Sequence, residues 1–86
     1  MEFAIDVTSP VHPYVQIANQ LREDIADGTI TDVFPSLWAI VNDTRFAGDP
    51  DRRVSYNTVR RAVKILKDEG LVVAIPGRGT FVRRRA

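Results

Sequence analysis

The feature that most restricts this chain is a change of hydrophobic period across one glycine. Val59, Ala62, Val63 and Leu66 recur at helical spacing, and after Gly70 the run Leu71-Val72-Val73-Ala74-Ile75 is rich in β-branched residues. The first pattern predicts a helix with one buried stripe, the second a strand. Ser55 is placed to cap the helix and Gly70 to stop it. Pro76-Gly77-Arg78-Gly79 is a turn by composition, and Thr80-Phe81-Val82 supplies a return strand. A lone two-stranded ribbon is marginal in water, so helix and ribbon must pack against what precedes them.

The preceding residues offer two further helices. Pro13 suits a first helical position, because its missing N–H has no partner there anyway. Tyr14, Ile17, Ala18, Leu21 and Ile25 make an apolar face, with Arg22, Glu23 and Asp24 assigned to the opposite side and Gly28 as the stop. This predicts helix 1 over about 13–27, after an N-terminal arm at 1–12 in which "FAIDV" is either a short edge strand or frayed. Residues 29–35 read as a connector with at most one short strand. Ser36 can cap helix 2, expected over about 36–46 from Leu37, Ile40, Val41 and Thr44. "GDPDRR" lies in a turn expected at about 47–54; its carboxylates lack calcium-loop spacing. Helix 3 follows at about 55–69 and the ribbon at about 71–84. The 86 residues therefore form one small domain, 13–86, of the α+β class and mainly α. Three helices and a C-terminal hairpin make a winged helix-turn-helix, in which helix 3 is placed to enter a DNA major groove.

Charge supports that partner. The net charge is only +1, but residues 1–50 carry two bases and eight acids, while 51–86 carry ten bases and three acids. The basic residues thus fall in the elements expected to face DNA, although the halves also neutralise one another. The chain has no cysteine and one histidine, and no paired carboxylates or phosphate loop in a recognisable frame. An enzyme, a metal site and a cofactor are not expected. No apolar run reaches membrane-spanning length, and the acidic N-terminus does not read as a secretory signal, so a cytoplasmic location is expected.

Four motifs in order resemble the DNA-binding domain of the GntR family of bacterial transcription regulators. "PYVQIANQLREDIADG" resembles its opening helix and "FPS" its Leu-Pro-Ser; "VSYNTVRRAVKILKDEGLV" resembles its third helix, and "GRGTFV" its wing. The resemblance covers residues 10–82 and implies sequence-specific binding of double-stranded DNA. It further implies a bacterial, plasmid or phage regulator, a repressor rather than an activator, and homodimers on an inverted-repeat operator. No small-molecule effector site is expected within this chain, which is either part of a longer regulator or a stand-alone factor. The sequence also departs from the family pattern. "TDVF" replaces the Gly turn before Leu-Pro-Ser, Trp38 and Tyr56 stand where arginine is common, and the stretch from Pro35 to Ser55 is longer. The family's base preference therefore does not carry over.

The DNA-facing set implied is Ser36, Arg52, Arg53, Ser55, Tyr56, Asn57, Thr58, Arg60, Arg61, Lys64, Gly77, Arg78, Gly79 and Thr80. Asn57 is suited to adenine, Thr58 to a thymine methyl or a phosphate, and Arg60 to guanine N7 and O6. Ser55 combines a cap with a phosphate contact; Tyr56 either donates to a phosphate or packs over Arg60. Arg61 and Lys64 are as readily solvated as DNA-bound. Lys67 is assigned to solvent. Arg52 and Arg53 are placed for phosphates in the expanded turn. Gly77 and Gly79 let the backbone approach closely around Arg78. Ile65 covers either a core edge or a partner surface. Phe3, Trp38 and Phe46 are candidate self-association residues. The competing reading is a winged helix whose basic face docks an acidic protein.

Overall fold

The computed structural model describes residues 10–43, 46 and 54–83. It contains α1 (Pro13–Ala26), α2 (Leu37–Val41), α3 (Tyr56–Asp68), β1 (Val72–Ile75) and β2 (Gly79–Val82). The strands form an antiparallel pair, with Val72 opposite Val82 and Ile75 opposite Gly79. The architecture is a winged helix.

Pro13 occupies the first turn of α1, and the His12 carbonyl accepts from Val15 N and Gln16 N at 3.0 and 3.2 Å. The Ser36 and Ser55 side chains cap α2 and α3, accepting from Ala39 N and Thr58 N, both at 3.1 Å. These bonds satisfy amides that the helix itself leaves unpaired. At the other end of α3, Gly70 has φ +77°, a left-handed conformation that costs glycine little. Gly70 N donates to Lys67 O and Leu71 N to Leu66 O, both at 3.0 Å, which is the Schellman closure. The chain thereby reverses directly into β1.

The core joins Ile17, Ala18 and Leu21 of α1, Ile40 and Val41 of α2, Val59, Ala62, Val63 and Leu66 of α3, and Val72 of β1. Phe34, from the connector, and Phe46, in a 3-10 turn, complete it. Phe46 is 1% exposed, so it is a core residue and not a self-association contact. Ile65 packs against this core. Phe3 lies outside the described residues.

Two expectations about the helices need correction. Helix 2 was expected over about 36–46, but α2 ends at Val41 with Asn42 as its C-cap. The Asn42 side chain donates to Trp38 O at 2.9 Å, closing the helix early. Asp24 was assigned to the solvent side of helix 1, yet it is 2% exposed. It follows Ile17 and Leu21 on the same helical face, and its Oδ1 accepts from Gln20 Nε2 at 3.0 Å. That hydrogen bond offsets part of the cost of burying a carboxylate.

The connector after α1 does not make a separate strand. It touches β2 through a single bridge, Val33 to Phe81, flanked by Phe34 N donating to Thr80 O and Val82 N to Asp32 O, each at 2.9 Å. β2 therefore has partners on both edges, and the entry to α2 is tied to the wing. On the far side of the domain, Arg22 Nε and Nη2 donate to Glu69 Oε1 and Oε2 at 2.9 and 2.7 Å, joining α1 to the end of α3.

Candidate nucleic-acid interface

The apolar stripe of α3 turns inward, which commits its remaining circumference to solvent. Asn57, Arg60, Arg61, Lys64 and Lys67 line one cleft along that outer surface. Among the described residues, no carboxylate lines it. A second cleft lies between the entry to α2, α3 and the wing. Pro35, Ser36, Arg60, Lys67, Gly79 and Thr80 are among its lining residues. Arg60 and Lys67 border both clefts; Val33, Phe34, Leu37 and Val63 also line the second, so the two cations join a basic cleft to a largely apolar one.

The expected site residues fall into three groups. Asn57, Arg60, Arg61 and Lys64 lie together on α3, while Ser36, Gly79 and Thr80 meet Arg60 in the second cleft. Ser55, Tyr56, Thr58, Gly77 and Arg78 line neither cleft. Ser55 Oγ lies 2.8 Å from Thr58 Oγ1, so both hydroxyls are engaged at the cap. Arg52 and Arg53 lie outside the described residues.

The wing tip has a definite geometry. Arg78 N donates to Ile75 O at 2.9 Å, closing a turn over Pro76 and Gly77. Gly77 has φ +76°, matching a type II turn with proline first and glycine second. Arg78 is exposed at this tip.

Neighbouring cations on α3 have different surroundings. The Arg61 guanidinium sits 4.3 Å from the centre of the Tyr14 ring, a cation–π contact toward α1. Lys64 Nζ donates to Asp68 Oδ2 at 2.9 Å, an exposed i,i+4 pair. Arg60 has no ion pair among the described residues. Lys67, read as solvated, is exposed and borders both clefts. Its spacing of seven from Arg60 places it two turns along the same face, a signal the sequence already held.

Two departures from the family pattern meet in space. The Trp38 and Tyr56 rings have centroids 4.8 Å apart and planes inclined at 38°, bridging the first turns of α2 and α3. Tyr56 therefore packs on Trp38 rather than over Arg60.

Residues 52–82, which hold α3 and the wing, match the family model described as "Bacterial regulatory proteins, gntR family". The segment holding α3 and the wing is thus similar to the GntR family, and the fold around it is a winged helix. This domain is 34% identical over 80 residues to the HTH-type transcriptional repressor NagR of Bacillus subtilis (strain 168). That match covers 93% of this chain and 30% of NagR, so the chain spans under a third of that relative's length. Among solved structures, the N-terminal domain of AraR in complex with mutant ORR3 is similar at 27% identity and TM-score 0.68. It aligns over 85% of this chain and 96% of that one. The AraR DNA-binding domain in complex with operator ORX1 shares the fold at 22% identity and TM-score 0.67. There the coverage is 96% of this chain and 99% of that one.

Proposed function

We propose that this winged-helix domain binds double-stranded DNA sequence-specifically and represses transcription. α3 enters the major groove, and the wing meets flanking backbone or minor groove. The observation that carries this reading is the surface that runs through both clefts by way of Arg60 and Lys67. It joins the outer face of α3 to the capped start of α2 and to the wing, three elements that can contact one duplex together. The AraR domain bound to its operator and the repressor NagR support the same reading.

Within this reading Asn57 and Arg60 meet base edges, with the Tyr56 ring beside them on the first turn of α3, while Ser36, Ser55, Thr58, Arg61, Lys64, Lys67 and Thr80 hold phosphates or sugars. Gly77 and Gly79 let the Arg78 tip approach the backbone, and Arg52 and Arg53 add phosphate contacts. Two copies on an inverted repeat would place their α3 helices about 34 Å apart, one turn of duplex.

Duplex binding against salt tests the proposal. Affinity should fall steeply as salt rises, because each phosphate contact releases condensed counterions. Arg78→Ala should flatten the logarithmic slope by about one unit and weaken all sequences alike. No binding at low salt would instead leave the basic surface to an acidic protein.

A further inference from the structure

Trp38 is 62% exposed and Tyr56 is 36% exposed, an unusual placement for two large rings in so small a domain. They are not loose. Each ring packs on the other, with centroids 4.8 Å apart, so their outer edges are held in a fixed orientation at little entropic cost. The pair also has a definite place. Trp38 lies two residues after Ser36, which lines the second cleft, and Tyr56 immediately precedes Asn57, which lines the first. The pair lines neither cleft itself; it stands beside residues that do, as an exposed aromatic platform bridging the first turns of α2 and α3.

A phosphate offers such a platform nothing that Arg60 or Lys67 would not supply better. A base edge does offer something. In the major groove the apolar group is the C5-methyl of thymine, which cytosine lacks unless methylated. We propose that the Trp38–Tyr56 pair reads the C5-methyl group of a pyrimidine in the bound duplex. The inference rests on the DNA-binding reading above, and it adds a base preference set by burial rather than by hydrogen bonding. The surrounding cations hold the backbone, and the rings exclude water from one methyl group.

The test uses a duplex site selected by the whole chain, with its thymines replaced singly by deoxyuridine. Removing one buried methyl should weaken binding about fourfold at one position per half-site and leave the other positions near unity. The same position carrying 5-methylcytosine, paired with guanine, should bind more tightly than its cytosine counterpart. Trp38→Ala should abolish both differences while retaining salt-dependent binding, and Tyr56→Phe should preserve them because the ring stays. Circular dichroism and thermal unfolding of each variant confirm that the fold is intact; the exposure of Trp38 makes this the expected result. Methyl-independent binding at every position would overturn the inference and leave DNA binding standing. So would a methyl effect that survives Trp38→Ala, or a change in oligomeric state on Trp38→Ala in place of any methyl effect. If the unsubstituted chain binds no duplex at all, the DNA reading fails and this inference falls with it.

Discussion

The two flanks of α3 carry adjacent arginines to different ends. Arg60, toward α2 and the wing, borders both clefts and has no ion pair among the described residues. Arg61, one residue on and about a quarter-turn round, rests its guanidinium over the Tyr14 ring of α1. Between the flanks, on the opposite side of the helix, Val59, Ala62, Val63 and Leu66 are buried. One helix thus has an anchored face, a flank braced against α1 and a flank open to a partner. Charge alone does not distinguish the two arginines; what each meets across the helix does.

The anchored face should give the largest effect. Leu66 is fully buried, and Leu66→Ala should cost about 2–5 kcal/mol of unfolding free energy. In a domain this small that is a large share of the total, so chemical denaturation should show a much-reduced midpoint or no folded baseline. Binding should then be lost on both flanks together. A Leu66→Ala domain that remains stable would mean that α3 is not held by this stripe, and the division between its flanks would lose its basis.

The open and braced flanks should separate next. Arg60→Ala should lower specific affinity by about 1–3 kcal/mol while leaving stability near that of the parent. Arg61→Ala should do the converse, removing a contact worth about 0.5–1 kcal/mol of stability at an exposed site and costing less affinity. Titration of one selected duplex beside thermal melts of both variants gives the comparison. Equal losses of affinity would place both flanks on DNA, with Arg61 leaving Tyr14 to reach it.

The sequence made the anchored face readable because helical periodicity survives wherever the chain is regular. The α3 stripe, both serine caps and the glycine-flanked wing tip each depend on neighbours in sequence. Phe34 and Phe46 were not legible as core residues, because neither belongs to the apolar stripe of an α-helix or strand whose period could be extended. The early end of α2 depends on one side-chain bond from Asn42, which composition does not announce. Asp24 was misplaced for a different reason: its charge outweighed its spacing, although its position after Ile17 and Leu21 already put it on the buried face. Lys67, read as solvated, is exposed, and its spacing of seven from Arg60 puts the two on one line of the helix. The Trp38–Tyr56 stack joins separate helices, so each ring could be noticed singly but not as a pair.

The smallest expected effect concerns the end of α3 opposite the capped first turn, where the helix is tied back to α1. Hydrogen bonding from the Arg22 guanidinium, aided by its charge and partly opposed by desolvation, holds the Glu69 carboxyl below the usual glutamate range. The same bond raises Arg22. A carboxyl depressed in the folded state contributes stability above its unfolded-state pKa and loses it as pH falls through the folded value. Glu69→Gln should therefore lower the melting temperature at neutral pH, by at most a few degrees because the pair is exposed. The difference should shrink as acid protonates the parent's carboxyl, and near-neutral affinity for DNA should not change. A stability difference that persisted into strong acid would show that Glu69 acts through packing rather than charge. A loss of DNA affinity at neutral pH would show that the α1 tie positions the open flank of α3, making the two flanks interdependent.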